Sequence, residues 1–436
     1  MQSKPELAGT RFLRINLQLD VKGSNVLGYL LACWAGIMVA SFVPTLQPYL
    51  LTEFLHVPEA KQGVVSGKLA FLGEVVFILT AGFWGAISDK FGRRIVIASA
   101  FLIFSVGIWC YPRVDSLMQL YMARSLIGFG FAAYSCMAIT LIADYAQPDS
   151  RGKLTGYHGI ANGFGALTAV FFLLRLPAML QARGMSPVEA GYITYNIVAV
   201  MMLVIALLTW LGTKDNKQDS SEEKASLVSI FRGGLLAAKH PVIRLSYAAA
   251  FVARGNLTIV GTFFTLWLAN YGTDIGLDRA EGIKRAGMVV GIAQMVTLFG
   301  AVAFGIMADK FDHIKVLMLT LFIAAIGYGS TYFIVNPFGG WMIVCAVFIG
   351  LGEVGCIITS AVLIADHSPV KVRGAVIGFF NICGGLGILV ASAVGGYLFD
   401  YWDPTGPFVL FALAAIVVFF WGGILLRRQK NSSLAV

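Results

Sequence analysis

Charge is what this chain of 436 residues has least of. Asp, Glu, Lys and Arg make up 13% of it, against roughly 25% in an average soluble protein. With 58% hydrophobic residues and a mean hydropathy of +0.79, no water-facing shell can be assembled, so lipid must cover much of the surface. A string of ordinary soluble domains is excluded. The chain has no CxxC pair and no metal-ligand spacing among its cysteines. Cys33, Cys110, Cys136, Cys345, Cys356 and Cys383 all fall in apolar runs and read as buried thiols. The five histidines stand singly, so neither a metal nor a cofactor is expected. There is no G-x-x-x-x-G-K-[ST], which excludes ATP as an energy source, and no strand precedes the glycine-rich stretches, which excludes a phosphate cradle. No nucleophile–base pair lies in the apolar runs, so an enzyme is not expected. The net charge of +9 is scattered over short loops rather than gathered on one face, which argues against a nucleic-acid partner.

What is present is a series of long apolar runs. A helix needs about 20 residues to cross the hydrocarbon layer, and twelve runs qualify: 26–50, 63–88, 95–112, 117–143, 156–176, 191–212, 242–270, 286–308, 316–335, 340–365, 376–399 and 405–426. The first 25 residues hold four basic residues and no apolar core, so the first helix is expected to act as its own insertion signal. Placing both termini in the cytoplasm puts 22 Lys and Arg residues on that side and 8 on the other, the bias that fixes orientation. The organisation expected is a cytoplasmic tail (1–25), a six-helix bundle (26–212), a polar cytoplasmic loop (213–241), a second six-helix bundle (242–426) and a cytoplasmic tail (427–436). The central loop, polar at KDNKQDSSEEK, reads as a solvated linker.

The two halves repeat one another. Leu141-Ile142-Ala143-Asp144 before Arg151-Gly152 returns as Leu363-Ile364-Ala365-Asp366 before Arg373-Gly374, and the segment 82–94 returns as 303–315 with Asp89 matching Asp309. The loop after helix two reads Gly85-Ala-Ile-Ser-Asp89-Lys90-Phe-Gly92-Arg93-Arg94. With Arg124-Ser-Leu-Ile-Gly128-Phe-Gly130 in helix four and the Asp-then-Arg-Gly loops, the whole chain resembles the major facilitator superfamily. That resemblance implies an all-α membrane protein of two pseudo-symmetric bundles. It also implies a latch in which Asp89 meets the amino end of helix eleven, near Ala375, while Arg93 bridges to Asp144. An anion suits a helix amino-terminus on physical grounds as well. The latch set is Gly85, Asp89, Arg93, Arg94 and Asp144. In the second half Asp312 replaces the glycine, and His313 and Ile314 stand where arginines would be, so a weaker latch is expected there.

A charge at mid-membrane costs at least about 2.5–3.5 kcal/mol, which singles out Glu74, Arg124, Arg254 and Glu353. Helices one, four, seven and ten line the cavity in the family fold, and Arg124, Arg254 and Glu353 lie on three of them. Arg254, Thr258, Thr262 and Thr265 recur at four, four and three residues, a polar stripe along helix seven. Ser41, Thr45 and Tyr49 do the same in helix one, beside Gln47, Pro44 and Pro48. The expected substrate-binding set is Arg254, Arg124, Thr258, Thr262, Gln47 and Tyr49, with Glu353 and Glu74 as proton-coupling residues. Glu353 is expected to have an arginine partner that substrate takes from it. Two arginines against one glutamate favour a small organic anion. The function expected is secondary transport by alternating access, as proton-coupled symport, by a monomer in the bacterial inner membrane. The partners are a small-molecule substrate, H+ and the lipid bilayer. Proton-driven efflux of drug-like or amphipathic compounds and a non-transporting ligand sensor are the alternatives.

Overall fold

The computed structural model describes residues 10–214, 227–369 and 372–434. The polar stretch of the central loop and the basic residues Lys4, Lys217, Lys224 and Lys371 fall outside them. Twelve helical spans, short 3-10 turns included, are long and apolar enough to cross a membrane: α1 Gly23–Glu53, α2 Glu59–Phe91, α3 Arg93–Arg113, α4 Leu117–Tyr145, α5 Arg151–Gln181, α6 Pro187–Gly212, α7 Pro241–Asp274, α8 Arg279–Lys310, α9 His313–Phe333, α10 Gly340–His367, α11 Arg373–Tyr401 and α12 Gly406–Arg428. These are the twelve apolar runs, lengthened mainly by polar turns beyond the hydrocarbon that the runs do not include.

Contacts divide the chain into two units that do not follow the bundle boundary expected from sequence. Residues 44–52 and 56–74, from the first repeat, belong with the second repeat, and residues 53–55 with the first. The change of allegiance within α1 falls at Pro44, where the missing N–H removes one helical hydrogen bond.

In the first unit the amino-terminal segment is more than a tail. Arg11–Phe12 (β1) pairs antiparallel with Ile15–Asn16 (β2). Leu13 and Arg14 between them have φ of 49° and 60°, the two positive values that a tight hairpin turn with the strands' own twist requires. The hairpin is sewn onto the α4–α5 connection. Gln18 N–H donates to the Tyr145 carbonyl at 2.9 Å and Gln147 N–H to the Asn16 carbonyl at 2.9 Å, Asn16 N–H donates to Ser150 Oγ at 3.0 Å, and Ile15 and Leu17 are fully buried. Where α1 starts and α6 ends, Gly28 and Gly212 lie so close that a Cβ on Gly28 would stand 3.0 Å from the Gly212 backbone. Asn25 Nδ2 closes that crossing on the Gly212 carbonyl at 2.8 Å.

In the second unit, α9 and α10 cross at small residues. A Cβ on Gly352 would meet Ala324 Cα at 2.5 Å, and one on Gly327 the Ile349 nitrogen at 2.7 Å. Such spacings let backbones pack where lipid removes the hydrophobic drive between helices. The central loop is also not wholly a linker. Leu227–Ala237 is a helix that packs on α11, with a Gly234 Cβ position falling on Phe379 and Tyr247 of α7 donating to the Gly234 carbonyl at 3.1 Å.

Candidate functional site

The corner between α2 and α3 is built on Gly92, whose φ of 101° is a conformation that side chains disfavour. That tight reversal returns Arg93 against the end of α2. Arg93 is 4% exposed. Its Nη1 donates to Asp89 Oδ1 at 2.6 Å and to Ser88 Oγ at 2.7 Å, and its Nε to Asp144 Oδ2 of α4 at 3.1 Å. Gly85 lends its carbonyl to the Ser88 hydroxyl at 2.8 Å, and the Arg94 guanidinium lies 4.8 Å from the centre of the Trp210 ring. The five latch residues are thus gathered at one corner of the first unit. In the second unit the repeat-related corner places His313 Nδ1 2.6 Å from Asp366 Oδ2.

Arg254 lies in a cavity of about 260 Å³ bounded by α7, α10 and α11, whose other polar lining comes from Ser360 and Asn381. The guanidinium arm is exposed and crosses Gly384, where a Cβ would stand 2.8 Å from the Arg254 Cγ. Thr258 turns its hydroxyl back to the Arg254 carbonyl at 3.2 Å. The threonine stripe then leaves the cavity: Thr262 is 6% exposed and Thr265 fully buried. The reason is a π-helical turn at Val260–Phe264, which inserts a residue into the helical count and rotates everything beyond it.

Other expected lining residues lie elsewhere. Gln47 is buried and donates to Ser66 Oγ of α2 at 2.8 Å, which makes it a tie between α1 and α2. Tyr49 is fully buried. Arg124 stands half-buried in the first unit, beside the Tyr111 hydroxyl. Glu74 is half-buried on α2. Glu353 is 2% exposed, next to Tyr328 of α9, and its Oε2 has no hydrogen-bond partner. An ion pair with arginine was expected there; among the described residues Glu353 makes none.

One polar cluster was missed by sequence reasoning. At the start of α2, Gly63 and Val64 donate their N–H groups to the two carboxylate oxygens of Asp400, at the end of α11, at 2.8 and 2.7 Å. At the same end of α2, the buried Arg279 donates to Gln62 Oε1 at 2.6 Å and lies 3.4 Å from Glu59 Oε1. The helices touch here: a Cβ on Gly396 would stand 2.7 Å from the Gly63 carbonyl oxygen. The signal available was Gly63 and Gly67 facing Gly396 at helical spacing, which sequence alone cannot pair. Among the described residues no group of three His, Cys, Asp or Glu could hold a metal ion.

Twelve spans in two repeats with this loop corner define a membrane transporter. A profile of the Major Facilitator Superfamily matches residues 27–330 and 246–435, and the chain belongs to that family. It is a multi-pass integral membrane protein that moves small solutes, and a transporter rather than an enzyme. Among its relatives, the magnetosome protein MamH of Paramagnetospirillum magneticum is 26% identical over 95% of both chains. The sialic acid transporter NanX of Escherichia coli is 23% identical over 86% of this chain and 87% of its own. The crystal structure of a mutant form of the nucleoside transporter NupG superposes with a TM-score of 0.72 at 14% identity, covering 92% of this chain and 99% of that one. At that identity the likeness speaks for the fold.

Proposed function

We propose that this transporter carries a small organic anion by alternating access, in symport with protons. The observation that carries the reading is the Arg254 cavity. Among its lining residues Arg254 is the one that bears charge, and no carboxylate stands among them to neutralise it. Ser360 and Asn381 add neutral hydrogen-bonding groups, and about 260 Å³ suits a solute at the small end of the ligand range. The relative named for sialic acid, a sugar acid, agrees in charge. Export of amphipathic cations would call for a carboxylate where Arg254 stands.

For the proton, Glu353 is the leading candidate. A buried carboxylate without a cation or donor on Oε2 is least costly when neutral, and Glu74 is the second. The Arg93 corner supports a gate on the cytoplasmic side, with both termini cytoplasmic by the excess of Lys and Arg in the loops on that side, and with a monomer as the working unit.

The test is a thermal-shift screen of the purified protein over organic anions, sugars and amphipathic cations, since bound ligand raises the melting midpoint by mass action. Anions should shift it, Arg254→Lys should weaken the shift by losing the planar fork, and Arg254→Ala should abolish it. A shift by cations alone, or an anion shift untouched by Arg254→Ala, sinks the reading. For coupling, Glu353→Gln should end accumulation on a proton gradient while solute exchange persists.

A further inference from the structure

In the first unit α5 meets α1 so closely that a Cβ on Gly165 would fall on the Trp34 carbonyl oxygen, and Trp34 Nε1 donates to Thr168 Oγ1 at 3.1 Å. That contact sets the register of the pair. His158 and Asn162 share the face of α5 that carries Gly165, and Tyr29 and Cys33, four residues apart, share a face of α1. The two faces converge on one imidazole. His158 Nδ1 is 2.8 Å from the Tyr29 hydroxyl and 3.2 Å from Cys33 Sγ. On the other side of the ring, Nε2 is 2.9 Å from Asn162 Nδ2. The Tyr29 hydroxyl also donates to the Ala138 carbonyl of α4 at 2.8 Å.

Counting hydrogens assigns the ring. The hydroxyl of Tyr29 has one hydrogen, and the Ala138 carbonyl, which can only accept, takes it. Toward His158 the Tyr29 oxygen is therefore an acceptor, so Nδ1 carries a hydrogen. An amide nitrogen can only donate, so Nε2 is bare while Asn162 presents Nδ2. Asn162 Oδ1, meanwhile, is buried with no partner. Rotating the amide by half a turn keeps its shape, costs Oδ1 no existing bond, and offers Nε2 an acceptor. The ring can then hold a second hydrogen with both N–H groups accepted. The two states differ by one proton and one amide rotation.

The groups that face the ring are few. Tyr29 and Cys33 come from α1, and Asn162 from α5 itself. From α4 come the Ala138 carbonyl and the Tyr145 ring, which stands 6.2 Å from that of Tyr29. No carboxylate among the described residues forms a salt bridge with His158, which is half-buried rather than sealed.

We propose that His158 is a proton-binding site of this carrier, with Asn162 as the amide that accommodates the proton. A positive charge made there has no fixed anion beside it, so an anionic solute is the partner that balances it. This deepens the symport reading and leans on it for the coupling, but not for proton binding.

The test is nitrogen NMR of the full-length protein, labelled at histidine, in lipid nanodiscs between about pH 5 and about pH 9, with His158→Gln to identify the signal. Nδ1 should remain an N–H throughout, while Nε2 passes from bare to protonated as pH falls. Asn162→Asp, a permanent acceptor, should move that transition up by about one pH unit or more. Should His158→Gln fail to fold, replacing His56, His240, His313 and His367 with Gln leaves His158 as the sole reporter. A ring locked in one charge state, or a hydrogen on Nε2 at high pH, overturns the proposal and leaves the anion-carrier reading standing. A titrating His158 in a protein whose Arg254 binds no anion keeps the site and removes the carrier reading instead.

Discussion

Arg93 and His313 occupy corresponding places in the two repeats, each opening a helix and each reaching the aspartate that closes a helix of its own unit, Asp144 or Asp366. The turn before them separates the two corners. Gly92 takes a φ of 101°, which reverses the chain tightly and carries Arg93 back onto Asp89 as well as Asp144, to 5% side-chain exposure. Asp312 keeps a φ of −55° and spends its carboxylate on the Lys315 N–H as a helix cap. His313 is left 29% exposed with Asp366 at 47%. One glycine therefore decides between a buried cation shared by two carboxylates and a solvent-facing pair. Burial multiplies what a charge is worth, because water no longer screens it.

The largest effect expected from breaking this comparison is that of Arg93→Ala. It strands Asp89 and Asp144 in a buried corner, a loss of about 3–5 kcal/mol for a broken buried pair, read as a large fall in melting midpoint. If Arg93→Ala melts no earlier than His313→Ala, burial is not what separates the corners. A smaller effect is expected of Gly92→Ala, which forces a side chain into a disfavoured backbone region at about 1–2 kcal/mol. That variant should also loosen Arg93 from Asp89, visible as earlier local hydrogen exchange at the end of α2; unchanged exchange would detach the glycine from the ion pair. The smallest is His313→Arg, which restores the first corner's cation without its turn. An exposed pair is worth about 0–1 kcal/mol, so the midpoint should barely move, and a gain as large as the Arg93 loss would show that the cation matters more than the turn.

The first corner was legible because its chemistry is compressed into one stretch: the glycine, the carboxylate and the two arginines lie within ten residues of one another. The Arg254 cavity was half legible. A cation in the middle of α7 stands out against an apolar background, and Ser360 follows from the stripe on α10. The threonines beyond Thr258 misled, since a helical count of 3.6 assumes an unbroken α-helix and α7 contains a π-helical turn. Glu353 was visible as an ionisable group, but its partner was not. Asp400 was hidden, because a helix cap lent across 336 residues leaves no local pattern at either end.

Transfer from water to lipid is a nearly additive property of individual residues. For that reason the amino-acid sequence alone settled that the chain crosses the membrane twelve times, that its halves repeat, and which family's corner motif it carries. Which face of each helix is turned inward, where α1 changes allegiance at Pro44, and that His158 comes to lie among Tyr29, Cys33 and Asn162 were decided by helix crossing. Crossing depends on how small residues such as Gly165 and Gly396 let distant backbones touch. Contacts of that kind belong to pairs of helices, and no single stretch of sequence contains them.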